Sequence, residues 1–258
     1  MLPGHGTSAS RHLSPLRTEW GRNVRTVMKR VAACLPFSWQ QQLKRWYFGR
    51  QIRSGGFVTE EKEFALLGSL VGSGDWVLDI GANVGHYVAR LSDLVGPEGR
   101  VIAFEPVPAT FELLASNVAS LRHANVTLLN AAASDATRAV GMSMPSFESG
   151  LPNFYMARLG EGAGSVVVLT VPVDALGVPH RVKLVKIDAE AHEMSVLRGM
   201  TLLLERDHPT LIVEESSPDI APHLERMGYV TERIERSSNA IFRWQAAGPV
   251  TPGSYPGT

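Results

Sequence analysis

Two short stretches concentrate residue types able to do chemistry. One is Asp79-Ile80-Gly81-Ala82-Asn83-Val84-Gly85; the other is Lys183-Leu184-Val185-Lys186-Ile187-Asp188-Ala189-Glu190-Ala191-His192-Glu193. In the first, an acid sits at the end of an apolar run, and the chain then turns through two glycines. Gly81 allows a tight turn and close approach of a ligand to the backbone, and Gly85 lets a helix start against the strand. The free N–H groups of that helix start favour a carboxylate. S-adenosylmethionine (SAM), with a carboxylate, an ammonium and a sulfonium on one short chain, suits such a loop, because Asp79 can answer its cationic part. The competing dinucleotide fingerprint is G-x-G-x-x-G, whereas this chain has G-x-x-x-G and an acid inside the strand. Glu105, closing the next apolar run, fits ribose hydroxyls under either reading. A glycine turn beside a solvated aspartate is the plain alternative.

In the second stretch Asp188 and Glu190 follow an apolar run, and His192 and Glu193 stand near the next helix start. Such a cluster can deprotonate an acceptor hydroxyl, bind an ammonium or hold a divalent ion. Acids are also simply favourable at a helix N-terminus. Asn130-Ala131-Ala132 follows a third apolar run, where backbone groups can read an adenine edge. His86, directly after Gly85, is a weaker catalytic candidate, since a histidine there more often packs or meets a cofactor carboxylate.

The elements that must position these residues alternate. Strands are expected at Trp76–Ile80, Val101–Phe104, Val126–Leu129, Val182–Ile187 and Thr210–Val213. Helices are expected from about Gly85 to Leu94, Pro108 to Leu121, Glu193 to Glu205 and Ile220 to Met227. Tyr229–Ile234 and Ala240–Trp244 read as an antiparallel pair. A further helix runs through Leu70, opened by Lys62-Glu63 with Thr59 as N-cap. Alternation of this kind argues a mainly parallel sheet with helices on both faces. Met142 to Ser165, rich in Gly, Ser and Pro, interrupts the pattern as a lid does.

Ahead of this body, from about Pro15 to Phe48, apolar residues recur at helical spacing, and Pro36 should split them into two helices. Through Arg53 the chain holds ten Lys/Arg and one acid, Glu19, a net of +9 that the remainder cancels to give zero overall. A basic arm on an acidic body suits an anionic surface: lipid headgroups, a nucleic acid or the chain's own body. Interleaved RNA-reading motifs are missing from it, which disfavours nucleic acid. Cys34 is the single cysteine, which excludes an intramolecular disulfide and a cysteine zinc cluster. No stretch approaches a spanning helix and the start lacks the order of a signal peptide, so a soluble cytoplasmic protein, peripheral to a membrane through the arm, is the expectation. The chain divides into a basic, partly helical extension (1–56), a catalytic domain (57–245) and a loose Pro/Gly-rich tail (246–258).

The succession DIGANVG, AFEP, NAAASD, KIDAEAHE and LIVEES resembles the FkbM family of SAM-dependent methyltransferases over roughly Phe57 to Arg243. Phe57-Val58-Thr59-Glu60, Val173-Asp174-Ala175-Leu176 and Asn239-Ala240-Ile241-Phe242 extend the resemblance. The family typically reads K-I-D-V-E-G-x-E where this chain has Ala191 in place of the glycine and His192 in the variable place. The resemblance implies an α/β, Rossmann-like class I methyltransferase fold, with a mainly parallel seven-stranded sheet, an antiparallel C-terminal strand pair and a helical N-terminal extension. It implies O-methylation of a hydroxyl on a sugar, glycolipid or related natural product, with SAM as cofactor. By position, Asp79, Gly81, Asn83 and Gly85 would hold the amino-acid end of SAM and Glu105 the ribose. Asn130, Ala131 and Asp135 would border the adenine. Asp188, Glu190 and His192 would face the reaction centre, with no metal ligands assigned. The rival readings are an NAD-dependent sugar oxidoreductase or epimerase and a non-catalytic SAM-fold binding protein. A homodimer is a further expectation.

Overall fold

The computed structural model describes residues 35–143, 158–159 and 166–245. The first of the two helices expected ahead of the body, the loose tail and most of the Met142 to Ser165 segment lie outside the described residues. Seven strands form one sheet: β1 (Trp76–Ile80), β2 (Arg100–Phe104), β3 (Val126–Leu129), β8 (Val182–Ile187), β9 (Thr210–Glu214), β10 (Tyr229–Arg233) and β11 (Asn239–Trp244). Their order is β3-β2-β1-β8-β9-β11-β10, parallel except for β11, which runs antiparallel to both β9 and β10. This is the expected class I methyltransferase arrangement.

Both faces of the sheet are covered, which is why its strands read as apolar runs. Leu78, Ile80, Phe104, Val185, Ile187 and Val213 point to one side. There they pack on α5 (Glu193–Arg198), α6 (Thr201–Asp207) and α7 (Ile220–Arg226). Val77, Val101, Ala103, Leu184 and Ile212 point to the other, against α2 (Lys62–Leu70), α3 (His86–Val95) and α4 (Pro108–Val118). Each fully buried Val, Leu or Ile contributes about 1.5–3 kcal/mol, so the two-sided core fixes the register. A register shift beside Trp76 puts Val182 and Val185 on the same side of β8.

Three local expectations change. The helix through Leu70 starts at Lys62 after Glu61, and Thr59 does not cap it: its hydroxyl accepts only a long contact from Glu61 N–H, 3.5 Å. The helix expected from Glu193 to Glu205 is two helices broken at Gly199-Met200. A Cβ on Gly199 would lie 1.8 Å from Ser134 O, so the break lets the backbone press against that carbonyl. Asp174 then caps α6, its carboxylate accepting from Leu202 and Leu203 N–H at 3.0 Å each. Finally, β4 (Ala132–Ala133), β5 (Arg138–Ser143), β6 (Arg158–Leu159) and β7 (Val166–Val171) form a second sheet, in the order β4-β7-β5-β6, where sequence periodicity showed no strands. The described residues of the Met142 to Ser165 segment, 142–143 and 158–159, therefore belong to strands.

One helix of the basic extension is described, α1 (Phe37–Ser54), starting directly after Pro36 as expected. It lies on α4, with Phe48 and Ile52 packed against Phe57, Val84 and Leu113.

Candidate active site

Strands β1 and β8 are neighbours, yet the chain leaves them toward opposite halves of the sheet. Their loops diverge at the carboxyl ends and open a crevice, the place where ligands of open α/β sheets bind. The two loops touch at one point. Gly81 has φ 82°, and a Cβ there would lie 1.8 Å from Asp188 O, so only glycine fits. Asp188 N–H in turn donates to Ile80 O at 3.0 Å. Asn83 is also left-handed, φ 50°, which aims its N–H at Glu105 Oε2, 2.9 Å away.

Glu105 directly follows β2 and is buried. Its other oxygen accepts from Val107 N–H at 2.9 Å, so one carboxylate ties together the turns after β1 and β2. Burial pushes its pKa up to about 7, against the two N–H donors that favour the charge. Asn130 sits behind it and donates its amide to Glu105 O and Pro106 O at 2.9 and 3.1 Å.

Asp79 is fully buried, and neither carboxylate oxygen has a close hydrogen-bond partner, though the Val88 N–H faces it. Burial pushes its pKa up to about 6, only partly offset by the Lys186 ammonium 4.0 Å away. Lys186 donates to Asp188 Oδ2 at 3.0 Å and lies 4.6 Å from the centre of the Tyr87 ring. Burial opposes its charge, but the carboxylates of Asp188 and Asp79 outweigh it and hold its pKa above the usual lysine range. Tyr87 O–H donates to Glu61 Oε2 at 2.6 Å. Lys186 is thus a buried cation that neutralises Asp79 and orients Asp188.

The turn from Asp188 to Glu193 is held by side chains. Glu193, buried, accepts from Ala189 N–H at 2.9 Å and from the Ser216 hydroxyl. Glu190 and Ala191 are both left-handed, φ 51° and 71°. His192 Nε2 lies 2.9 Å from Ser134 Oγ, which is 3.3 Å from Asp135 Oδ1, itself paired with Arg138 at 2.7 Å. Burial lowers the His192 pKa despite the nearby Asp135 and Glu193, which leaves the imidazole neutral at pH 7. His86, by contrast, stacks on Phe57 with ring centres 4.2 Å apart and serves packing.

A cleft partly open to solvent runs over these loops. Gly81, Asn83, Glu105, Asp188, Glu190 and His192 line it. Asp79, Gly85, Asn130 and Ala131 do not line it, whereas Ala132 and Ala133 do. Met142 and Leu159 close it from the second sheet. A second cavity shares Asp188 and Glu190 with the cleft and adds Glu60, Glu61, Glu63 and Glu214. Burial, reinforced by Asp188, Glu193 and Glu190, pushes the Glu214 pKa up to about 7. Among the described residues no three His, Cys, Asp or Glu side chains converge as a metal-ligand set.

The Methyltransferase FkbM domain family matches residues 79–231, more than half of the chain, from the end of β1 into β10. The chain belongs to the FkbM methyltransferase family. A methyltransferase FkbM from Methylobacillus flagellatus shares the fold, with a TM-score of 0.53 at 15% identity over 87% of this chain and 60% of that one. Hexuronic acid methyltransferase AglP of Haloferax volcanii is 29% identical over 146 residues, 51% of this chain and 52% of AglP. The FkbM chain thus spans about half the length of that relative. A protein-L-isoaspartate O-methyltransferase of Ignicoccus hospitalis is 39% identical over 56 residues, 22% of this chain and 26% of that protein.

As an FkbM methyltransferase the protein uses SAM, which displaces the NAD reading. The residues present fit that cofactor. The backbone floor of the cleft at Gly81 admits no side chain. The carboxylates of Glu105, Asp188 and Glu190 line the cleft, where a sulfonium and an ammonium must be accommodated.

Sequence reasoning missed Lys186, Ser134, Glu61 and Glu214. Lys186 reads as part of a strand, and an alternating lysine is ordinarily solvent-facing. Ser134 and the two glutamates come near the site only through the chain's long-range folding.

Proposed function

We propose that this FkbM methyltransferase O-methylates a hydroxyl of a sugar, glycolipid or related natural product. The observation that carries the reading is that Asp188 and Glu190 line both the cofactor cleft and the adjoining carboxylate-rich cavity. Carboxylates accept hydrogen bonds from hydroxyls, so this wall suits a polyhydroxylated acceptor. The hexuronic acid named for AglP supports the same acceptor class.

In this reading Gly81, Asn83 and the turn into Gly85 hold the amino-acid end of SAM. Glu105 takes the ribose hydroxyls. Ala132 and Ala133 border the adenine, with Asn130 and Ala131 directly preceding them. Bound there, SAM supplies an electrophilic methyl group. The protein must align the acceptor oxygen, exclude water and accept the hydroxyl proton as the oxygen becomes nucleophilic. Glu190 is the favoured base because it faces both cavities. His192, neutral and anchored on Ser134, is the second candidate. Asp188, pinned by Lys186, positions the reacting groups.

The test pairs acceptor screening with two variants. Purified protein is given labelled SAM with neutral sugars, uronic acids and glycolipids, and the methylated atom is identified by NMR. Glu190→Gln is expected to lower turnover by about 100-fold or more, with SAM affinity by calorimetry unchanged; His192→Asn is expected to have a smaller effect. Full turnover in both variants would remove the base assignment, and a methyl group found on nitrogen or carbon would overturn O-methylation.

A further inference from the structure

Helix α1 has two unlike faces. On one, Gln41 Nε2 donates to Ala109 O at 3.1 Å, and Phe48 and Ile52 pack into the body. Helical spacing puts Trp39, Leu43, Trp46 and Arg50 on the opposite side. The three apolar side chains there are 64%, 47% and 63% exposed. An isolated exposed leucine needs no explanation, but two solvent-facing tryptophans about two turns apart along a single stripe do.

The charge on the helix is one-sided. It carries Lys44, Arg45, Arg50 and Arg53 and no acid. Arg45 is engaged by Glu112 at 3.2 Å. Arg50 and Arg53 are exposed at the C-terminal end of the tryptophan stripe. A second copy of this helix would bring like charges together. Tryptophan rings and leucine beside arginine, with no acid, match the headgroup region of an anionic bilayer. There the indoles lie at the apolar boundary and the guanidiniums reach phosphates.

We propose that the outer face of α1 docks on an anionic membrane surface through Trp39, Leu43, Trp46, Arg50 and Arg53. The contact is peripheral in kind, since among the described residues no helix is long and apolar enough to cross a membrane. It does not depend on which acceptor is methylated. It would place the enzyme where lipid-linked acceptors are concentrated.

The experiment is co-sedimentation of the full chain with vesicles of phosphatidylcholine alone and of phosphatidylcholine mixed with phosphatidylglycerol. Binding is expected to the mixed vesicles only, to weaken with salt, and to be accompanied by quenching of tryptophan fluorescence by brominated lipid. The double variant Trp39→Ser/Trp46→Ser is expected to lose about tenfold or more in vesicle affinity, and Arg50→Gln/Arg53→Gln about tenfold. SAM binding, which this face does not touch, should stay unchanged in both and reports that the fold is intact. If the tryptophan pair does not fold, the arginine pair decides. Equal binding to neutral vesicles, unchanged affinity in the folded variants, tighter retention on single-stranded RNA than on vesicles, or a dimer that dissociates on loss of the tryptophans would each overturn the proposal.

Discussion

The loops after β1 and β8 sit side by side at the same end of the sheet, and both turn through left-handed residues, yet they are built on different principles. The β1 loop is specified by backbone. Gly81 is left without a side chain because Asp188 O occupies the space of a Cβ, and Asn83 presents an N–H to Glu105. The β8 loop is specified by side chains. Its left-handed positions are Glu190 and Ala191, and its shape is held by Glu193, by Lys186 on Asp188 and by Ser134 on His192. A backbone cradle suits a ligand that never changes. A loop whose form depends on side chains can be re-cut for different acceptors while the cradle beside it stays the same.

The contrast breaks most severely at its point of contact. Gly81→Ala is expected to destabilise the fold by about 3 kcal/mol or more, because overpacking against backbone adds to left-handed strain. SAM affinity should fall with it, as urea unfolding and calorimetry would show. A variant as stable as the parent would mean that the two loops do not meet as described.

A smaller effect tests the charge behind the cradle. Asp79 is raised from 3.8 to about 6, so between those values the folded chain holds a proton that the unfolded chain has lost. Stability should therefore fall as pH rises from about 4 to about 6, by on the order of 1–3 kcal/mol from this group. Asp79→Asn should show a slope shallower by that amount, Glu105 and Glu214 keeping theirs, measured by denaturant unfolding across the window. An equal slope in both proteins would assign it to other groups, Glu105 foremost.

The smallest effect concerns Ala191, left-handed at φ 71°. Ala191→Gly relieves about 1 kcal/mol of strain but gives back part of it as unfolded-chain entropy. A net gain of roughly 0.5 kcal/mol in denaturant unfolding is expected. A net loss would show that side-chain contacts of the β8 loop outweigh its backbone strain.

Much of the frame is readable without coordinates. The strand from Trp76 to Ile80 and that from Val182 to Ile187 are apolar on both sides because both faces of the sheet are covered, and their boundaries come out as expected. Less readable was the single helix expected through Gly199, because the break answers a distant carbonyl at Ser134 and a distant cap at Asp174. The second sheet escaped because pairing across the chain, between Ala132–Ala133, Arg138–Ser143 and Val166–Val171, and not alternation along it, creates its strands. Thr59 has the composition of a cap, but the helix starts two residues too late to use it.

The sequence by itself determined the glycine loop after β1, the acid after β2 and the acid-rich turn after β8. Their residue types answer local demands: a left-handed turn, a strand end, a helix start. Only the tertiary structure decided what surrounds them. It buried Lys186 between Asp79 and Asp188, hung His192 on Ser134, and brought Glu61 and Glu214 from either side to widen the carboxylate wall at Asp188 and Glu190. Those neighbours are distant in sequence, and their charges act through space. Burial sets how strongly they act, and burial is a property of the packed sheet and helices, not of any segment read alone.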